Sequence, residues 1–233
     1  MNEAVQYQSE EKHVLITLKN GKANAISHKV IDALNTALNK AEQEQKVVIL
    51  TGQSGIFSAG FDLKVMTKSA DAAKELVTKG SKLSLRMLSF PMPIIIACSG
   101  HAIAKGAFML LYADYRIGVE GDFKIGLNEV MIGMTMHHAG IEVARARLAP
   151  IFFERSVSNS EIYTPKDAVS AGFLDTIVSE EELLPTAIQT AMLFTQLNKK
   201  AHATTKVKLR APYLDIIRKA IDLDLKNEIT INS

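Results

Sequence analysis

Two glycine-bearing turns contain the residues best placed to do chemistry. The first is Phe57-Ser58-Ala59-Gly60-Phe61-Asp62-Leu63, and the second runs from Ser99 to Ala107. Each follows an apolar run typical of a buried strand, so it lies at the carboxyl end of that strand, where open α/β folds bind ligands. Backbone N–H groups in such turns are free, and two of them facing one another would form an oxyanion hole. The same pattern is equally typical of ordinary strand-to-helix turns, and both interpretations stay open at this level.

Several common catalytic and binding motifs are missing from the sequence. No two glycines stand two positions apart, which excludes a dinucleotide fingerprint, and Ile16 stands where a phosphate-binding loop ending in Gly21-Lys22 needs its first glycine. H-E-x-x-H, C-x-x-C and G-x-S-x-G are also absent. The adjacent His137 and His138 point to different helix faces, so we predict no metal site. Redox, nucleotide, structural-zinc and serine-hydrolase chemistry are therefore disfavoured.

Composition excludes other classes of protein. The chain has 233 residues, of which 47% are hydrophobic and 22% charged, as is usual for a soluble globular protein. A net charge of +2 and 6% aromatic residues argue against nucleic-acid binding. The single cysteine, Cys98, favours a reducing compartment, and we find neither a signal peptide nor an apolar run of membrane-spanning length. We therefore expect a cytoplasmic protein without a nucleic-acid or membrane partner.

The hydrophobic pattern places the two turns in an α/β fold. Short β-branched runs predict strands at residues 14–18, 47–51, 94–98, 116–119, 123–125 and 177–178. Helices are predicted after a Ser27 cap and in the segment that ends at residue 88. Further helical patterns lie at residues 104–112, 137–148, 165–171, 180–197 and 211–228. Strands alternating with helices predict parallel strand pairing.

Taken with Lys124-Ile125-Gly126-Leu127-Asn128-Glu129-Val130, the two turns resemble motifs of the crotonase (enoyl-CoA hydratase/isomerase) superfamily. The similarity covers nearly the whole chain, with three motifs in the right order. The resemblance implies a spiral of ββα units in residues 1–195 and a C-terminal helical trimerisation region in residues 196–233. It also implies an acyl-CoA thioester as substrate, no cofactor beyond that coenzyme A, and a homotrimer or hexamer.

The resemblance also implies roles for individual residues. The backbone N–H groups of Phe61 and Lys105 correspond to the two oxyanion-hole donors, although most relatives have glycine at the second position. Lysines and arginines are suitable partners for the CoA phosphates, and the candidates are Lys22, Lys64, Lys68, Lys206, Lys208 and Arg210. The residues implied to contact substrate or CoA are Ala23, Ala25, Ala59, Gly60, Asp62, Leu63, Gly106 and Phe108.

The acidic residues distinguish between reactions within the superfamily. Hydratases use two glutamates, and here the first of these positions is Phe108 while the second is Glu129. This pattern looks like that of the single-glutamate Δ3,Δ2-enoyl-CoA isomerases, in which one carboxylate moves a proton from C2 to C4. We therefore predict an enoyl-CoA isomerase with Glu129 as acid and base. Glu142 is a weaker second candidate acid.

Other functions remain open at this level. The first alternative is an enoyl-CoA hydratase, and other reactions that share the oxyanion hole are not excluded. An alternative of another class is a non-catalytic acyl-CoA-binding protein, for which Phe108 and Lys105 are the motivating residues.

Overall fold

The computed structural model describes residues 4–227, which contain ten strands, nine α-helices and one 3-10 helix. The strands are β1 Val5–Ser9, β2 His13–Leu18, β3 Val47–Thr51, β4 Gly55–Ser58, β5 Ile94–Cys98, β6 Gly100–Ile103, β7 Tyr115–Val119, β8 Ile125–Gly126, β9 Ile162–Tyr163 and β10 Thr176–Val178. The α-helices are α1 His28–Gln43, α2 Leu63–Met66, α3 Ala70–Leu88, α4 Lys105–Leu110, α5 His138–Arg147, α6 Pro150–Val157, α7 Pro165–Ala171, α8 Glu180–Phe194 and α9 Lys199–Lys226, and the 3-10 helix is Val130–Ile132. In this part of the chain, no helix is both long and apolar enough to cross a membrane.

Consecutive strands enter two different sheets. The larger sheet has the order β1-β2-β3-β5-β7-β10, in which β1 pairs antiparallel and the other neighbours pair parallel. The smaller sheet has the order β4-β6-β8-β9. The strand pairs β3–β4, β5–β6 and β7–β8 each place one strand in each sheet before the chain turns helical. The predicted α/β spiral of ββα units is confirmed by this arrangement.

The centre of the larger sheet is buried on both faces, which accounts for the continuously apolar strands β3 and β5. Along β3, Val48 and Leu50 face the main core, while Val47 and Ile49 face the opposite side. On that opposite side, three buried apolar side chains of α8 form one core cluster with residues of β3, β5 and β7. Strand β5 therefore ends between two packed layers, and this packing fixes the position at which the second turn begins.

The long C-terminal helix α9 is fastened to the core by a buried ion cluster. Asp114 accepts hydrogen bonds from Lys206 Nζ at 2.6 Å, from an Arg210 guanidinium nitrogen at 2.8 Å and from the Ile94 N–H at 2.8 Å. The two cationic side chains are only 4% and 6% exposed. The suggestion that Lys206 and Arg210 contact CoA phosphates is therefore wrong, because both are occupied by Asp114 inside the protein.

A second buried acid joins α9 to α5. Asp224 accepts hydrogen bonds from the backbone N–H groups of His138 at 2.8 Å and Ala139 at 2.9 Å. These are unsatisfied donors at the start of α5, so Asp224 caps that helix from a distant part of the chain. Helix α9 thus holds both α3, against which it packs, and α5 in place.

Several predicted boundaries differ from the structure. Helix α9 begins at Lys199 instead of residue 211, and it continues through Pro212, whose exposed position lets water satisfy the carbonyl that loses its donor. The predicted end at residue 228 lies outside the described residues. The strand predicted at 123–125 is wrong, since only Ile125–Gly126 pair with β6. Strands β1, β4, β6 and β9 were not predicted, and β6 forms part of the second turn region.

Candidate active site

The first turn is held by the loop before α1 in a way that leaves one N–H unused. The Ile26 N–H donates to the Gly60 carbonyl at 2.8 Å, and the Asp62 N–H donates to the Ile26 carbonyl at 3.1 Å. Both bonds are made by the backbone of Ile26, which forms a parallel β-bridge with Phe61. The N–H of Phe61 therefore points away from Ile26, and within residues 4–227 no acceptor is bonded to it.

Buried Asn24 fixes the shape of the loop that holds this turn. Its Oδ1 accepts a hydrogen bond from the Asn20 N–H at 2.8 Å, and its Nδ2 donates to the carbonyls of Leu18 at 3.1 Å and Phe57 at 2.8 Å. The backbone of Asn24 has φ +48°, a left-handed conformation that asparagine tolerates better than most residues. This role was not predicted from the sequence, because the bond to Phe57 joins residues that are 33 positions apart.

The predicted contact residues Ala23 and Ala25 flank Asn24 on the same loop. The Ala23 carbonyl accepts the Ala59 N–H at 3.0 Å, and the Ala25 carbonyl accepts Asn20 Nδ2 at 2.7 Å. Ala23 and Ala59 are exposed, while Ala25 is half-buried. Ala23 and Ala25 therefore lie at the edge of the first turn, on its solvent side.

The second turn packs directly against the first. A Cβ placed on Gly106 would lie only 2.2 Å from the Ser58 carbonyl oxygen, so glycine is required for this approach. A Cβ on Gly60 would lie 3.0 Å from the Ala104 Cβ and 3.4 Å from the Lys105 nitrogen. Ala104 has φ +52°, an uncommon conformation for alanine, and caps α4 without a side-chain bond. The first N–H of α4, that of Lys105, bonds no acceptor among the described residues.

Glu129 reaches the same place from the segment after β8. The Ala104 N–H donates to the Gly126 carbonyl at 3.0 Å, which joins this segment to the second turn. The Glu129 carbonyl then accepts the Met134 N–H at 2.9 Å, across a turn that Gly133 closes at φ +78°. These bonds place the Glu129 side chain beside Ala104.

A cavity of about 350 Å³ lies where the first turn, the second turn and the Glu129 segment meet. Of the predicted site residues, Ala59, Phe61, Leu63 and Glu129 line it. The other lining residues are Met66, Thr67, Ala104, Asn128, Ile132 and Met134. The mostly apolar wall with few polar groups is typical of a small-molecule site.

Glu129 is the acidic group of this cavity. Only 5% of the residue is exposed, and its Oε2 is buried without a hydrogen-bond partner in the described structure. Burial raises the pKa of the carboxyl to about 7, and the nearby Lys105 cation opposes part of that rise. A carboxylate with a free oxygen and a pKa near neutrality is suited to taking and returning a proton.

The other predicted site residues lie around the cavity in different settings. Phe108 is buried, and its ring meets that of His137 edge-on at 5.8 Å between centroids. It is not part of the cavity wall. Asp62 caps α2 by accepting the Lys64 N–H at 3.0 Å. Phe108 is thus a core residue outside the cavity, and no second acid comes from that position.

Replacing Asn24 with alanine is expected to destabilise the protein by about 3 kcal/mol, because two buried carbonyls and one N–H lose their partner and alanine is strained at φ +48°. Urea unfolding of both proteins measures this loss. Asn39→Ala, in which an exposed side chain loses one bond to Arg86, serves as the control with an expected change below about 0.5 kcal/mol. Equal stabilities of the two variants would contradict the tethering role of Asn24.

The stacked ββα units with two apposed turns beside one buried carboxylate define the class of fold and site. The family model for enoyl-CoA hydratase/isomerase matches residues 9–232, and the chain belongs to this family. The predicted resemblance is thereby confirmed, as is the prediction of an enzyme.

Individual relatives agree with this family. A solved enoyl-CoA hydratase/isomerase family protein from Pseudomonas syringae is 55% identical, with a TM-score of 0.96 and coverage of 97% of this chain and 98% of that one. A solved protein from Mycobacterium tuberculosis, named an enoyl-CoA isomerase with one structure and a probable enoyl-CoA hydratase with another, is 35% identical in the first, with a TM-score of 0.92 and coverage of 97% of this chain and 100% of that one. A probable enoyl-CoA hydratase from Bacillus subtilis is 29% identical over 171 residues, which cover 72% of this chain and 66% of that protein.

Proposed function

We propose that this protein is a Δ3,Δ2-enoyl-CoA isomerase. Glu129 removes a proton from C2 of a 3-enoyl-CoA thioester and returns it to C4, so that the double bond moves from C3–C4 to C2–C3. The N–H groups of Phe61 and Lys105 bind the thioester oxygen while it carries the charge of the dienolate. The observation that carries the proposal is a single buried carboxylate, with an unpartnered oxygen, facing the cavity between the two turns.

Each proposed group has a physical reason for its task. A thioester α-proton is only weakly acidic, and a carboxyl with a pKa of about 7 is a stronger base than an ordinary glutamate. Two N–H donors held in place by the fold stabilise the developing oxyanion, each by about 3 kcal/mol. Isomerisation needs no other reactant, since the proton taken from C2 is returned to C4.

Hydration makes demands that the site does not meet. A water molecule must be held, deprotonated and added while a second proton is delivered, which two carboxyl groups do better than one. The second position is Phe108, and its neighbour His137 has a pKa lowered to about 4 by burial, so that it is uncharged at neutral pH. Relatives named isomerase and hydratase both occur, so the choice between the reactions depends on these side chains.

The surroundings of the site support further parts of the proposal. We propose that the acyl-CoA enters past exposed Leu63, with Lys22, Lys64 and Lys68 at the surface as partners for the CoA phosphates. No cofactor beyond coenzyme A takes part. We also propose a homotrimer or hexamer, for which the exposed apolar side chains of α8 and α9 supply surface, and a cytoplasmic location, which suits the free buried Cys98.

The test is an assay of 2-enoyl- and 3-enoyl-CoA substrates of several chain lengths. We expect 3-enoyl-CoA to be converted to the conjugated 2-enoyl-CoA, with hydration below about 1% of that rate. Hydration of 2-enoyl-CoA without isomerisation would establish the hydratase alternative. Thermal stabilisation by acyl-CoA without turnover of any substrate would establish the non-catalytic binding protein.

The rate of isomerisation is expected to depend on pH through Glu129. The base form is the carboxylate, so kcat/KM rises about tenfold per pH unit below the carboxyl pKa and is constant above it. With a pKa of about 7, the midpoint of this rise lies near pH 7. A pH profile of kcat/KM measures it, and a midpoint near the ordinary glutamate pKa of 4.5 would contradict the burial of Glu129 in the free enzyme.

A further inference from the structure

The side chain of Lys105 is a buried amine that the proposed reaction does not use, since only the backbone N–H of this residue is proposed to meet the substrate. The residue is 2% exposed, and its Nζ donates to the Gly80 carbonyl and to the Tyr112 hydroxyl, each at 2.8 Å. The same nitrogen lies 4.8 Å from the centre of the Tyr112 ring and 5.4 Å from that of Phe61. Two acceptors and two aromatic faces therefore surround the ammonium group.

Gly80, in the middle of α3, makes room for this arrangement. A Cβ at Gly80 would lie 2.5 Å from Phe61 Cζ and 3.2 Å from Lys105 Cε. Glycine weakens a helix interior, so its position here matches the two side chains that fill the space. Phe61 and Lys105 are the residues whose N–H groups we propose as the oxyanion donors. The side chains of Phe61 and Lys105 thus pack together against one turn of α3, at Gly80.

Three titratable groups act on the Lys105 ammonium from the elements around it. Burial lowers the pKa of the Lys105 amine to about 7, and the Glu129 carboxylate, on the segment after β8, opposes this fall by attracting the ammonium form. Tyr112 accepts its hydrogen bond and stays protonated, because burial and Glu129 both raise its pKa. His137, before α5, is kept uncharged mainly by burial and partly by the Lys105 cation itself. Helix α3 contributes the Gly80 carbonyl. Of these groups, Glu129 is the one whose charge is opposite to that of Lys105.

We propose that the Lys105 side chain is a positioning residue for isomerisation: its ammonium group anchors both oxyanion donors to α3 and favours Glu129 in its carboxylate form. The inference rests on the proposed function, because it takes Glu129 as the base. The Lys105 side chain would then act on both the base and the oxyanion donors. The base must be ionised before it removes a proton, and the two N–H donors must be correctly placed when negative charge develops on the thioester oxygen.

The test is Lys105→Met, which keeps the backbone N–H and an unbranched side chain one atom shorter, but removes the amine and both of its hydrogen bonds. We expect kcat to fall at least about 30-fold with KM nearly unchanged, because the lost contacts matter most in the transition state. The midpoint of the kcat/KM pH profile is expected to rise by about one pH unit, because the carboxylate loses its attracting cation. A side chain needed only for packing would lower thermal stability and leave that midpoint in place.

The matched control is Lys206→Met, which removes another buried lysine of similar exposure, bonded to Asp114 and the Met92 carbonyl. We expect this variant to lose stability and to keep the wild-type pH midpoint. If Lys206→Met shifts the midpoint as much as Lys105→Met, the effect is a general consequence of losing a buried cation and the inference is overturned.

A second measurement separates this inference from the proposed function. Difference infrared spectroscopy of wild type against Glu129→Gln follows the Glu129 carboxyl titration without any substrate, and the same pair is then compared in the Lys105→Met background. A raised titration midpoint supports the inference even if the wild type isomerises nothing, in which case only the proposed function fails. Isomerisation by the wild type with neither midpoint moved by Lys105→Met overturns the inference and leaves the proposed function intact.

If Lys105→Met does not fold, Tyr112→Phe decides the question. This change removes one acceptor from the ammonium group and keeps the aromatic ring, so less Lys105 is charged. We expect a smaller upward shift of both midpoints, and an unmoved Glu129 titration in Tyr112→Phe would overturn the inference.

Discussion

Replacing Glu129 with glutamine is expected to lower kcat for isomerisation by about 10³-fold or more, with KM changed less than about threefold. The amide has nearly the shape of the carboxyl group but accepts no proton at the pH of the assay. The proposed oxyanion donors and the apolar wall are unchanged, so substrate binding is expected to persist. Steady-state kinetics on 3-enoyl-CoA measure the effect, and isomerisation at the wild-type rate would remove Glu129 from the mechanism.

The matched control for this experiment is Glu142→Gln. Glu142 was the weaker candidate acid, and it lies on α5, where it pairs with Arg145 at 3.2 Å and is not part of the cavity wall. The same chemical change there is expected to leave kcat within about twofold, because exposed ion pairs contribute little. A large loss in Glu142→Gln would point to a two-acid mechanism and therefore to hydration.

The Glu129→Gln variant is also expected to be more stable than the wild type at pH 8. In the folded protein the pKa of Glu129 is about 7, while in the unfolded chain it is the ordinary 4.5, so folding binds a proton between these pH values. Stability from this group is therefore lost as pH rises from 4.5 to 7 and stays constant above 7. Glutamine never ionises, so the gain at pH 8 is about 3 kcal/mol and disappears near pH 4.

Urea unfolding at the two pH values tests this expectation. If the variant is inactive and yet more stable, its loss of activity comes from the missing carboxyl group and not from unfolding. Lower stability of Glu129→Gln at pH 8 would show that the carboxylate has a favourable partner in the folded protein.

Replacing Gly106 with alanine is expected to reduce kcat/KM by at least about 100-fold and to destabilise the fold by about 3 kcal/mol. The added Cβ would lie 2.2 Å from the Ser58 carbonyl oxygen and 2.9 Å from its carbon, both backbone atoms that have no rotamer to adopt. One turn must therefore move away from the other. The proposed oxyanion donors, the N–H groups of Phe61 and Lys105, would then no longer face the same oxygen, and the transition state would lose most of one donor.

Gly21→Ala provides the comparison for Gly106→Ala. A Cβ at Gly21 meets no atom within 4 Å, although φ is +66°, so the expected cost is about 1 kcal/mol of backbone strain with no change in mechanism. Thermal unfolding and isomerisation rates of the two variants separate backbone strain from displacement of the turns. Wild-type kinetics in Gly106→Ala would mean that the contact of the turns is not needed for catalysis.

The amino-acid sequence was sufficient to predict some of the elements that frame the site. Strands such as Val47–Thr51 and Ile94–Cys98, and a helix capped by Ser27, are visible because their apolar periodicity and capping residues are local properties. The start of α9 was misplaced because the consequence of Pro212 depends on its exposure, which is not a local property. The second sheet was missed because β4 and β6 are short and pair only with strands remote in sequence.

The residues of the site divide along the same line. The sequence by itself determined which groups are available: two glycine-bearing turns, a lone acid at Glu129, and Phe108 where hydratases have a second acid. Only the tertiary structure decided what those groups can do. The contact of Gly106 with Ser58, the anchoring of the first turn by Asn24, the course of the Lys105 side chain under Phe61, and the unpartnered oxygen of Glu129 all depend on distant segments. A backbone donor or a carboxyl group acquires its direction and its pKa from the atoms packed around it, and these atoms come from every part of the chain.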